Sequence, residues 1–62
     1  MPPAVFHVGE AVRIIDGPFV NFVGVVRAVA TTPAGEIVTV GVGLQGREVL
    51  EMFAVYRLER IR

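Results

Sequence analysis

The chain has no cysteine, no lysine and no tryptophan, a single histidine, and no net charge at neutral pH. Without cysteine, neither a disulfide nor a Cys-rich zinc site can staple the fold. Six arginines are balanced by six carboxylates, so the basic surplus that phosphate-driven binding needs is missing, and nucleic acid is not the expected partner. No segment approaches the roughly 18 apolar residues of a membrane span. Met1-Pro2-Pro3-Ala4 has neither the charged nor the apolar region of a signal peptide. These absences lead to the expectation of a cytoplasmic protein that does not touch a membrane.

Catalysis also lacks its raw material. His7 has no cysteine and no paired carboxylates near it in sequence and reads as a surface residue ahead of the first strand. Glu10, Asp16, Glu36, Glu48, Glu51 and Glu59 are scattered, and no phosphate loop or metal-ligand spacing occurs. The chain is expected to be no enzyme and to carry no cofactor or metal.

What it has in quantity is apolar side chains, 53% of 62 residues. A chain this short buries only about 60% of the surface it exposes when unfolded. Closing short strands into a barrel gathers apolar groups into one core and removes free edges. One domain over 8–62 is expected, with 1–7 as the end of an extended, Pro-containing linker.

The local pattern supports strands. Val12 and Ile14 alternate with Arg13 and Ile15, and Asp16-Gly17-Pro18 ends that run with turn chemistry. A second strand is predicted over about Val23–Ala30, where Gly24 signals a bulge or a close backbone approach. Thr31–Gly35 reads as a hairpin loop. Val38, Val40, Val42 and Leu44 then alternate with Thr39, Gly41 and Gly43, the period of a strand with one apolar face. Gln45-Gly46 supplies a turn, Arg47 to about Phe53 a fourth strand, Ala54–Tyr56 a single helical turn, and Arg57–Ile61 a fifth strand. The expected core is Val12, Ile14, Val26, Val29, Val38, Val40, Val42, Phe53, Leu58 and Ile61. One stretch reads two ways: residues 47–62 contain no Gly or Pro and also place Leu50, Phe53, Ala54, Leu58 and Ile61 on a helical stripe.

The run V-G-E-A-V-R-I-I-D-G-P-F-V-N-F-V-G, Val8 to Gly24, resembles the KOW motif, specifically the C-terminal domain of the NusG/Spt5 transcription elongation factors. The family reads approximately G-D-x-V-R-V-x-D-G-P-F-A-D/N-F-x-G-x-V, against Gly9, Glu10, Val12, Arg13, Ile14, Asp16, Gly17, Pro18, Phe19, Asn21, Phe22, Gly24 and Val26 here. Further resemblance runs through Val38–Arg47 and Leu58–Ile61 and thins after Val29. The resemblance implies an all-β, five-stranded antiparallel SH3-like barrel. RfaH-like paralogues of the family imply the alternative of an α-hairpin or a fold switch for such a domain.

The resemblance further implies a non-catalytic, monomeric module. It would recruit the ribosomal protein NusE or the termination factor Rho, reaching RNA polymerase only through a separate N-terminal domain. Its partner surface would comprise Phe19 and Phe22 in the first loop and Leu44, Gln45, Gly46 and Arg47 in the second, beside the edge of the fourth strand. Gln45 stands where the family generally has a phenylalanine, and E-V-L-E-M-F-A-V replaces the common T-P-V-E-L-D-F. Those departures suit a specialised NusG paralogue, or a designed or reconstructed barrel without a partner. An RNA-binding KOW module is the remaining alternative.

Overall fold

The structure, a computed structural model, describes residues 6–61; most of the expected linker lies outside them. Strand β1 is Ala11–Ile14, β2 Val23–Thr32, β3 Gly35–Leu44, β4 Arg47–Ala54 and β5 Leu58–Arg60, with a 3-10 turn at Val55–Arg57. All pairings are antiparallel, in the order β4-β3-β2-β1-β5. This is the expected all-β, five-stranded SH3-like barrel.

Alternation decides what is inside. Val12 and Ile14 of β1, Val26 of β2, and Val38, Val40 and Val42 of β3 are fully buried, joined by Phe53 and Leu58. Fully burying such a side chain contributes about 1.5–3 kcal/mol. No polar side chain is buried among the described residues, so the core carries no desolvation cost that hydrogen bonds would have to offset. Val29 packs against this core half-buried.

Two core assignments need correction. Ile61 is 40% exposed. Strand alternation puts it on the face opposite Leu58, three residues earlier, whereas a helix would have put both on one side. Phe6 is buried beneath the Arg60 guanidinium, which lies 5.4 Å from its ring centre; it was missed because it precedes the recognisable strand pattern.

Two local features set the strand geometry. A Cβ on Gly24 would lie 2.5 Å from the Gly41 carbonyl oxygen and from Val40 Cγ1, so Gly24 is the site of a close approach between β2 and β3. The bulge lies instead between Val26 and Ala28. The β2–β3 loop is also tighter than expected: Thr32 pairs Gly35, leaving Pro33-Ala34 at the tip. There the Thr32 hydroxyl accepts from the Ala34 N–H at 3.2 Å and donates to the Gly35 carbonyl at 2.6 Å.

The ambiguous segment is strand followed by a 3-10 turn. Gln45 and Gly46 have φ of 50° and 77°, the two positive values of a type I′ hairpin turn, whose twist suits paired strands. The turn delivers β4 directly onto β3, in register from Leu44↔Arg47 to Ile37↔Ala54. Tertiary pairing therefore overrides the local helical stripe.

Candidate protein-binding surface

The loop between β1 and β2 is held by backbone bonds at both ends. Ile14 N–H donates to the Phe22 carbonyl at 2.9 Å, and Asn21 N–H to the Ile14 carbonyl at 2.7 Å. Two turns fill it, with Val20 N–H donating to Gly17 O and Phe22 N–H to Phe19 O. Gly17 (φ 90°) and Asn21 (φ 73°) occupy the left-handed positions that Gly and Asn tolerate best. Asp16 is anchored by Arg57, 3.3 Å away.

This framework gives the two phenylalanines different tasks. Phe19 turns inward, edge-to-face with Phe53 (ring centres 6.4 Å apart) and with Phe22 (5.9 Å). Phe22 is 39% exposed, flanked by exposed Val20 and Val23. Phe19 is therefore a half-buried support, and Phe22 is the more exposed of the two rings.

The second predicted segment lies at the same end of the sheet. Gly24 pairs Val42, so the chain entering β2 runs beside the chain leaving β3. Leu44 packs half-buried against the core, while Gln45, Gly46 and Arg47 are exposed. An open groove of about 440 Å³ lies over the start of β2 and the β3–β4 hairpin, lined on one side by Val23 and Val25 and on the other by Gly43, Gly46, Arg47 and Glu48; neither loop phenylalanine lines it. Arg47 makes no ion pair among the described residues. Its neighbour Glu48 instead accepts from Arg27 at 2.7 and 2.9 Å. Phe22 and Arg47 are thus both exposed at this end of the sheet, while Phe19 and Leu44 are half-buried against the core.

Strand β4 ends the sheet on this side. A two-residue hairpin makes Leu44 and Arg47 a hydrogen-bonded pair, so Val49, Glu51 and Phe53 also turn their backbone groups toward β3. Glu48, Leu50 and Met52 turn theirs outward. Leu50 is 57% and Met52 72% exposed, adding apolar side chains to the unpaired edge. The residue reading missed these two as surface contacts; the alternation in E-V-L-E-M-F was the available signal.

Elsewhere charges are spent in pairs across strands. Arg13 meets Glu59, and Arg60 meets Glu10. The Arg60 contact, together with a hydrogen bond from the His7 N–H at 3.0 Å, holds the Glu10 carboxyl below its usual range against a small opposing effect of burial. Among the described residues no group of three or more His, Asp or Glu side chains is arranged to hold a metal ion. No helix among them is long and apolar enough to cross a membrane.

The fold is thus a five-stranded antiparallel SH3-like barrel with a Gly-Pro-Phe loop, a tight hairpin and an open strand edge. No family model matches the chain, and no curated protein does. Among solved structures, it is similar to NusG of Thermotoga maritima, described as "Domain interaction in Thermotoga maritima NusG". The TM-score is 0.80 and the identity 34%, over 98% of this chain. The chain spans 33% of that protein's length. The likeness first read from the Val8–Gly24 run therefore extends over 98% of this chain and is consistent with a NusG C-terminal KOW domain.

Proposed function

We propose that the domain is a non-catalytic recruitment module of a NusG-type transcription elongation or antitermination factor. It takes hold of a protein partner in the cytoplasm, the ribosomal protein NusE or the termination factor Rho. The observation that carries this reading is the placement at one end of the barrel of exposed Phe22, of exposed Arg47, which makes no ion pair among the described residues, and of the open β4 edge. A partner segment would add as a strand to β4, its backbone bonding Glu48, Leu50 and Met52 while its side chains meet Phe22 and Arg47. Aromatic and Arg side chains in such positions commonly dominate binding energy.

Gln45 bears on which partner is preferred. It occupies the exposed hairpin tip, and an aromatic anchor there would be worth about 2 kcal/mol on the scale of interface hot spots. Recognition therefore leans on Phe22, Leu50 and Met52 instead. RNA is disfavoured by the pairing of Arg13, Arg27, Arg57 and Arg60 with carboxylates.

The test is affinity for NusE and for Rho, measured by calorimetry with the Phe22→Ala/Arg47→Ala double variant. A loss of tenfold or more for one of them is the expected result. Unchanged affinity for a partner that binds the parent domain would place the surface elsewhere.

A further inference from the structure

The β4 edge has a second property, independent of any foreign partner: it is complementary to itself. Outward backbone groups fall on Glu48, Leu50 and Met52, so a second copy running antiparallel can pair only in registers that oppose these positions. The register with Val49 opposite Val49 of the second copy satisfies this requirement. Glu48 and Leu50 then form hydrogen-bonded pairs on either side of the two-fold axis, giving four backbone bonds in all. The same register sets Arg47 opposite Glu51, twice by symmetry, in the non-hydrogen-bonded positions where side chains approach most closely.

Charge favours this arrangement over its neighbour. Arg47 and Glu51 are on one face of β4, and neither makes an ion pair among the described residues. Shifting the axis to Leu50 opposite Leu50 leaves Arg47 facing Phe53 and Glu51 facing Val49, with both charges unmatched. The edge also exposes the apolar side chains of Leu50 and Met52, and no proline interrupts it.

We infer that the domain associates with a second copy of itself through antiparallel β4–β4 pairing centred on Val49, with Arg47 and Glu51 matched across the axis. Five residues a side bury less than the roughly 1,200–2,000 Å² of a stable complex, so the dimer is weak and the dilute chain is a monomer. Self-pairing and strand addition by a partner use the same backbone groups and exclude one another. Local concentration of the domain thereby sets how much of the edge is open.

The experiment is a dilution series of the 62-residue chain, following amide NMR shifts and translational diffusion up to about 1 mM. Concentration-dependent shifts at Glu48, Leu50 and Met52, with slower diffusion, are expected. Leu50→Pro removes one outward N–H and no bond to β3, and should abolish the effect while dispersed β-type amides persist. Arg47→Glu and Glu51→Arg each place like charges opposite one another and should weaken self-association about tenfold. Mixing those two variants restores opposite charges at both positions, so the mixture should associate more tightly than either alone. Shifts and diffusion independent of concentration would overturn the inference, as would association that survives Leu50→Pro or a mixture no tighter than its components.

Discussion

Arg27 of β2 and Glu48 of β4 are joined across the strand between them, Nε and Nη2 of the arginine donating to one carboxylate oxygen at 2.9 and 2.7 Å. The path crosses β3 at Gly41, where a Cβ would lie 2.2 Å from that same oxygen. Arg27 occupies the bulge between Val26 and Ala28, and the missing side chain on Gly41 lets Glu48 lie flat against the sheet. Glu48 is thereby engaged by Arg27, while Arg47 makes no ion pair among the described residues.

Substitutions at two glycines should therefore differ in kind. Gly41→Ala meets only the end of a flexible side chain, so Glu48 swings off and the exposed pair is lost, at about 0–1 kcal/mol. Gly24→Ala meets the Gly41 backbone and Val40, a clash that costs about 2–3 kcal/mol or prevents folding. Urea unfolding of the two variants checks this, and equal losses would contradict the assigned geometry.

The two loop phenylalanines should separate stability from binding. Phe19→Ala removes the ring wedged between Phe53 and Phe22 and should cost about 3 kcal/mol. Phe22→Ala removes a partly exposed ring and should cost about 1 kcal/mol or less. Thermal unfolding reads the first effect. Partner affinity, measured on folded Phe22→Ala, reads the second and should fall tenfold or more.

The hairpin at Gln45-Gly46 depends on positive φ at both positions. Gly46→Ala should destabilise by about 1 kcal/mol, because a Cβ is disfavoured at φ 77°. Gln45→Asn should stabilise by a few tenths, about 0.3 kcal/mol, since Asn is the better left-handed residue in such turns. Opposite signs in the unfolding midpoints are the expected outcome.

Acid should weaken the domain through Glu10. Its carboxyl is held below the ordinary range chiefly by Arg60, then by the His7 N–H. A carboxyl depressed on folding contributes stability in full above its unfolded pKa, about 4.3, and loses it as pH falls through the lower folded value. Melting temperatures of the parent and Glu10→Gln should therefore differ at pH 6–7 and converge below about pH 4. A constant gap would mean that Glu10 acts through packing alone.

Much of this was legible in the residues, and the reason is strand alternation. Val38, Val40 and Val42 are buried as their spacing dictates, and Asp16-Gly17-Pro18 ends β1 where its turn chemistry places the stop. What escaped was set by tertiary packing. Phe6 has no pattern around it, Ile61 changes face when helix gives way to strand, and the direction of Phe19 depends on Phe53, distant in sequence. Leu50 and Met52 were hidden because the segment satisfies helical and strand periods at once, and only pairing with β3 decides between them.

The central claim, recruitment through the β1–β2 loop, the hairpin and the β4 edge, is tested most directly by amide NMR of the labelled domain during titration with NusE and, separately, with Rho. The account predicts that one of the two shifts Val20–Val23, Gln45–Arg47 and the outward amides of Glu48, Leu50 and Met52, leaving the β2–β3 hairpin tip unmoved. Shifts confined to other faces, or none with either protein, would contradict it.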